Sequence, residues 1–278
     1  MKALIAWAVC ILLVGLIAVG TVRVVSSVAS SKKRQFRQDG IAKLVSGDYT
    51  GAIEAFDTAL EKSGKKSDGF NSDVLGYRAE AEYKLRDYEA AVHTYGLLLE
   101  MKPDTAVYLY AQSMCYAHLG DTDNAIDRYH AGNAVQKEDK DEAGRQEALF
   151  AAGGACVDAG EYEKAMGLYQ DAIREGVKHG QVYNQMGLCQ MAEKDYQGAL
   201  DSFNQGYETF VTGHSLGSGA EPAQAAAALN ADARADMALL KELVYNRAVA
   251  YEYLSEYKKA LGLFEDYVSV FGPNEDAE

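Results

Sequence analysis

The residue pattern with the strongest claim to chemistry is Gly213-His214-Ser215-Leu216-Gly217. It fits the Gly-x-Ser-x-Gly turn that exposes a nucleophilic serine between a strand and a helix. Attack by that serine needs a histidine base, and in hydrolases built on this turn the base follows the serine in the chain. All five histidines, His93, His118, His130, His179 and His214, precede Ser215. A serine hydrolase using Ser215 is therefore disfavoured. The pentapeptide is expected to be a Gly/Ser-rich loop, no catalytic residue is assigned, and the chain is expected not to be an enzyme.

The remaining reactive side chains are scattered. Cys10 lies in an apolar N-terminal run, and Cys115, Cys156 and Cys189 form no Cys-x-x-Cys pair, so neither a zinc site nor a disulfide framework is indicated. Small, weakly polar thiols at such positions serve as core residues. There is no His-Glu-x-x-His helix, complete phosphate-binding loop or dinucleotide fingerprint, and no metal or cofactor is expected. The charged stretch Lys137-Glu138-Asp139-Lys140-Asp141-Glu142 lacks the alternating ligands and central glycine of a calcium loop and reads as a solvated extension. With 27 basic against 41 acidic residues and a formal charge of -14, a general affinity for nucleic acid phosphates is excluded.

Two kinds of element must carry these residues. The first is the uncharged run Ala3–Val22, twenty residues between Lys2 and Arg23. As a helix rising about 1.5 Å per residue, it matches the hydrocarbon thickness of about 30 Å. Residues 1–30 are therefore expected to be a transmembrane anchor that makes the protein single-pass. The rival reading is a signal peptide cleaved near Ser27-Val28-Ala29. Arg23, Lys32, Lys33, Arg34 and Arg37 follow the run, which by the positive-inside rule puts the rest in the cytoplasm; an extracytoplasmic placement is the alternative.

The second element is a repeat. Gly47-Asp48-Tyr49 followed by Ala52 and Phe56 returns as Asp87-Tyr88, Ala91, Tyr95; as Gly120-Asp121, Ala125, Tyr129; and as Gly160-Glu161-Tyr162, Ala165, Tyr169. It returns again as Asp195-Tyr196, Ala199, Phe203 and as Glu256-Tyr257, Ala260, Phe264. Twelve places before each central alanine stands Gly40, Ala79, Ser113, Gly153, Gly187 or Ala248, and four places earlier Phe36, Leu75, Leu109, Leu149, Tyr183 or Val244. Large apolar residues at helical spacing build one face, and a small residue on it lets a partner helix approach closely. Each unit is thus a helix pair, and a pair buries its apolar face only by stacking on its neighbours.

These residues resemble the tetratricopeptide repeat family, in the 34-residue unit, the small residues at its eighth and twentieth places, the aromatic at the twenty-fourth and the closing Pro103 of the second copy. The twenty-seventh place departs from the family's alanine at Leu98, Gly132, Gly206 and Tyr267, and Tyr267 reads as the end of the stack. The resemblance implies an all-α fold: a right-handed superhelical solenoid of about six helix pairs over residues 31–272, after the N-terminal transmembrane helix. The repeats are placed at about 33–66, 72–105, 106–139, 146–179, 180–213 and 241–272, with an insertion at 214–240 and an acidic tail at 273–278. The Ala-rich run from Pro222 is expected to be a long helix leading into the last repeat.

In this family the first helix of each pair lines a concave groove that holds a protein or peptide segment. That register assigns the groove to Tyr77, Glu80, Tyr83, Tyr110, Met114, Phe150, Asn184, Gln185, Leu188, Met191, Tyr245, Asn246 and Tyr253. Ile41 and Tyr77 depart from the family's clamp for chaperone C-terminal carboxylates. Aromatic and methionine side chains supply contact area, and the amides bond a peptide backbone. The expected function is a membrane-tethered scaffold for a protein partner, with an exported envelope or surface protein for assembly or peptide capture as the alternative. Replacing Tyr77, Tyr110 and Phe150 together is expected to abolish capture without unfolding. Val268 and Phe271 leave a partly apolar end face, a candidate for self-association.

Overall fold

The computed structural model describes residues 31–63, 68–136, 143–177, 179–229 and 233–273, and every regular element among them is an α-helix. Helix α1 covers 31–46, followed by α2 (Tyr49–Ser63), α3 (Asp68–Leu85), α4 (Tyr88–Met101), α5 (Ala106–His118) and α6 (Thr122–Val135). Then come α7 (Arg145–Asp158), α8 (Tyr162–Arg174), α9 (Gly180–Ala192), α10 (Tyr196–Gly213), α11 (Pro222–Ala228), α12 (Arg234–Tyr253) and α13 (Tyr257–Phe271). Two compact units divide at Ala148/Leu149, within α7. Unit 1 holds the pairs α1–α2, α3–α4 and α5–α6. Unit 2 holds α7–α8, α9–α10 and α12–α13, with α11 between the last two pairs.

The turn inside each pair is built the same way six times. The residue five places before the central alanine has left-handed backbone: Gly47, Gly120 and Gly160 at φ 83°, 73° and 73°, and Arg86, Lys194 and Ser255 at 65°, 65° and 62°. The next residue begins the second helix. Asp48, Asp87, Asp121 and Asp195 each accept a bond from the backbone N–H three residues on, at 3.0–3.1 Å, satisfying a donor that the helix itself leaves unpaired.

The small residue of each first helix meets the aromatic of its own second helix. A Cβ built on Gly40, Gly153 or Gly187 would fall 2.5, 2.1 or 2.4 Å from Phe56, Tyr169 or Phe203, so the aromatic ring occupies the space that a side chain would need. Ser113 keeps the same closeness and donates its hydroxyl to the Ala125 carbonyl at 2.7 Å. The central alanines 52, 91, 125, 165 and 199 are fully buried. Within unit 1, α2 packs on α3 and α4 on α5; within unit 2, α8 packs on α9 and α10 on α12.

Two departures from the alanine pattern are thereby explained. Gly132 gives its side-chain space to the Tyr110 ring, which an added Cβ would approach to 2.4 Å, and Gly206 lies against Leu243 and the Gly180 carbonyl.

The insertion differs from the expected single long helix. It forms α11, an extended Leu229 (ψ 139°), and then α12, which starts at Arg234. Its residues enter the core. Ala225 joins the cluster of Tyr207, Phe210, Val211, Leu239, Leu240, Leu243, Val244 and Tyr267, with Leu216, Ala220 and Leu229 packed against it. Leu229 is partly buried against this cluster, so the end of α11 is placed by tertiary contact as well as by helix propensity.

No helix among the described residues is long and apolar enough to cross a membrane. The transmembrane anchor, and the single-pass localisation with its cytoplasmic or extracytoplasmic alternatives, are corrected accordingly. A run free of charge satisfies the length condition for a span, but a span also requires a continuous apolar helix, and none occurs among the described residues. Ala3–Val22, the charged stretch 137–142 and residues 274–278 of the acidic tail lie outside the described residues.

Candidate functional site

The residues assigned to the groove come from the first helices of the pairs, and the structure sorts them by what they touch. In unit 1, Tyr110 is fully buried and donates its hydroxyl to Asn133 Oδ1 at 2.7 Å and Gln136 Oε1 at 2.9 Å. A ring so placed is core, so the expectation that Tyr110 can be exchanged without unfolding is corrected. Tyr77 is half-buried, stacked on Phe56 at 6.0 Å with the Arg37 guanidinium over its ring at 5.3 Å. Arg37 is itself held by Asp73. Glu80 is exposed and Met114 half-buried. Tyr83 is half-buried; its hydroxyl lies 3.0 Å from His118 Nε2, and the Tyr88 ring stacks on His118 at 4.4 Å.

In unit 2, Asn184 is fully buried and spends its amide internally, donating to Glu242 Oε2 and accepting from Asn246 Nδ2, both at 2.9 Å. This chain ties α9 to α12. Phe150 is half-buried between Tyr169 and His179, and Met191 packs against the cluster of Ala199, Leu200, Phe203 and Ala250. Leu188 and Tyr245 each expose 38% of their surface and Tyr253 58%. Tyr253 stacks on Tyr196 at 4.7 Å, Tyr245 meets Phe264 edge-on and Tyr267 at a tilt, and Gln185 and Asn246 are half-buried.

Apart from Phe150 and Met191, which are half-buried against neighbouring side chains, the assigned residues fall into two groups. Tyr110 and Asn184 hold helices together. Glu80 in unit 1, and Leu188, Tyr245 and Tyr253 in unit 2, present surface, with Tyr77, Tyr83, Met114, Gln185 and Asn246 at its margin. The register names residues of the first helices throughout but does not tell a buried place from an open one.

Several structural partners escaped the sequence reading. Glu82 is 2% exposed, bonded to Arg78 at 2.5 Å, and burial pushes its carboxyl above the usual carboxylate range. Glu242 and Asn246 stand four apart on α12, a spacing that places both on one face and was the available signal for their contact with Asn184. Arg247 donates to Asn204 at 2.8 Å and lies over the Tyr207 ring at 4.4 Å; burial lowers its pKa.

The thiols behave as the sequence suggested. Cys115, Cys156 and Cys189 are buried, and desolvation pushes Cys115 up to about 12 and Cys189 up to about 11, so neither forms a nucleophilic thiolate near neutral pH. Ser215, at φ 61° just after α10, donates its backbone N–H to Thr212 and belongs to a helix-end turn rather than a strand-to-helix elbow. His214 points its Nδ1 at the Phe210 carbonyl and its Nε2 toward Asp236 at 3.5 Å. No metal-binding group of histidine, cysteine and carboxylate side chains occurs among the described residues.

Comparison with solved structures returns helical repeat proteins. The apo form of RapI aligns with a TM-score of 0.62 at 14% identity, over 90% of this chain and 67% of its own. PilW, a widely conserved type IV pilus biogenesis factor, aligns at 0.51 and 14% over 88% and 96%. MamA aligns at 0.51 and 19% over 65% and 92%. At these identities the likeness is one of fold. A search of curated proteins finds no match. The tetratricopeptide repeat model matches residues 39–96 and, in a second register, 77–134. With that match over 39–134, and with the same left-handed turn and helix-pair packing recurring through the later pairs, the chain carries tetratricopeptide-type repeats.

Proposed function

We propose that this protein is a scaffold that binds a protein or peptide segment on the first-helix surface of its repeats, with the principal contacts in unit 2. The observation that carries the reading is the exposure of Leu188 and Tyr245 on α9 and α12, flanked by the half-buried amides of Gln185 and Asn246. Helices α9 and α12 pack together, so these side chains share one unit. Apolar area beside amide donors and acceptors suits an extended or helical segment, whose backbone the amides can bond while the apolar groups bury its side chains. Self-association through the C-terminal repeat is a second role, supported by the 50% exposure of Val268.

Panning a displayed peptide library on the full chain, followed by fluorescence anisotropy with an enriched peptide, tests the binding role. A Leu188→Asp, Tyr245→Ala double variant should weaken binding about tenfold or more, as loss of a central contact does, while circular dichroism melting stays near wild type. Undiminished binding, or a library that yields no enriched sequence, counts against it. Leu188→Asp alone serves if the double variant melts early.

A further inference from the structure

Inside each unit the second helix of one pair is joined to the first helix of the next through a recurring set of places. The tyrosine three before the central alanine meets the residue seven before the next one: Tyr88 stacks on His118 at 4.4 Å, and Tyr196 on Tyr253 at 4.7 Å. The residue five after the alanine meets the one thirteen before the next: Asp57 accepts from Arg78 and Asn204 from Arg247, both at 2.8 Å. These pairings run antiparallel.

On α13 the same places are open. Tyr257 is 65% exposed where Tyr49, Tyr88, Tyr162 and Tyr196 are half-buried. Leu261 is 59% exposed where Ile53, Val92 and Met166 are half-buried and Leu200 is buried. Val268 is open where Leu60, Leu99 and Ile173 are half-buried and Tyr207 is buried. The insertion covers Tyr267 and Phe271 on another side of the helix but leaves this face uncovered.

The reciprocal half of the joint is open on α1. Ala42 is exposed, whereas at the same place Ala81, Cys115, Cys189 and Ala250 are buried and Ala155 is half-buried. Val45, at the place of His118 and Tyr253, is 84% exposed. The charges are arranged for an antiparallel meeting: Lys32 and Arg34 are exposed at the start of α1, and Glu265 and Asp266 lie toward the end of α13; Asp48 follows the end of α1, and Lys258 stands at the start of α13.

From these two open halves we infer that α13 of one molecule takes α1 of a second copy, in a head-to-tail contact that repeats the internal helix-pair joint. The inference rests on the self-association role of the C-terminal repeat and names the surface that answers it. Such a contact is heterologous, so each copy uses two different faces and can carry a partner on both, in a ring where the rotation closes and in an open chain where it does not. One place opposes it. Asp39 occupies the position of Arg78 and Arg247, and would face Glu265. Like charges there make the joint weaker than the internal ones, hence reversible and concentration-dependent.

Sedimentation velocity of the full chain over a concentration series tests this. Leu261→Arg blocks the α13 face and Ala42→Arg the α1 face, and both residues are exposed, so neither change enters the core. Each variant alone should stay monomeric, while an equimolar mixture should form a one-to-one dimer that grows no further. Asp39→Arg should tighten wild-type association several-fold by restoring the pairing seen between Arg78 and Asp57. A mixture that stays monomeric while the wild type associates overturns the inference. Continued assembly of Ala42→Arg alone rejects α1 as the occupant but leaves C-terminal self-association standing, and a wild-type chain that is monomeric throughout rejects both. Val268→Arg with Val45→Arg repeats the design if a first variant fails to fold.

Discussion

All three pair turns of unit 1 are closed by an aspartate that caps the following helix, whereas in unit 2 Asp195 caps and Glu161 and Glu256 make no side-chain cap bond. The extra methylene carries the carboxylate past the unpaired backbone N–H. It pairs instead with a lysine three residues on, Glu161 with Lys164 at 3.1 Å and Glu256 with Lys259 at 2.5 Å. Unit 2 is also where an insertion enters the core and where the open aromatic residues of the first helices lie. Regularity and open surface thus separate along the chain: unit 1 repeats a structural unit closely, and unit 2 departs from it where Tyr245 and Tyr253 stay exposed.

The strongest challenge to that contrast is Tyr110→Ala. Were Tyr110 a binding residue of unit 1, its removal would cost affinity and little stability. As a fully buried ring with two hydroxyl bonds, its truncation should cost about 3–5 kcal/mol, the range for large aromatic-to-alanine changes in cores. Urea denaturation followed by circular dichroism gives the value; a loss below about 1 kcal/mol, the scale of a surface change, would return Tyr110 to the binding surface.

Tyr110 also marks the limit of what the sequence discloses. The central alanines, the small residue twelve places before each and the Asp-Tyr start of the second helix are local, and each has one physical job, so the helix pairs were legible from spacing alone. Whether Tyr110 or Tyr245 faces outward depends on residues from elsewhere in the chain. Gly132 opens space for the first, whereas the second keeps 38% of its surface exposed. The path of the insertion was illegible for the same reason: Leu229 leaves the helix to join a cluster drawn from α10, α12 and α13.

A smaller effect sharpens the difference between the caps. Asp87→Ala should cost unit 1 about 1 kcal/mol, the usual value for losing an N-cap side chain, and Glu161→Asp should return a similar amount to unit 2. Thermal melts of both variants check the signs. Opposite shifts support side-chain length as the cause; a Glu161→Asp variant no more stable than wild type would mean that the Lys164 pairing already compensates.

The smallest predicted change concerns the residue before the cap. Gly47, Gly120 and Gly160 adopt the left-handed backbone of the turn without steric penalty, while Arg86 and Lys194 hold the same conformation with a Cβ. That conformation costs a non-glycine residue about 1–2 kcal/mol, and a glycine gives back about 0.5–1 kcal/mol through the greater freedom of the unfolded chain. The difference favours glycine by about 0.5–1 kcal/mol at each site. Arg86→Gly in unit 1 and Lys194→Gly in unit 2 should therefore stabilise by similar amounts, because turn strain, unlike capping, is common to both units. Urea midpoints of the two variants measure it. Equal gains would confine the difference between the units to the caps and the insertion, whereas a gain in only one would show that the turn differs too.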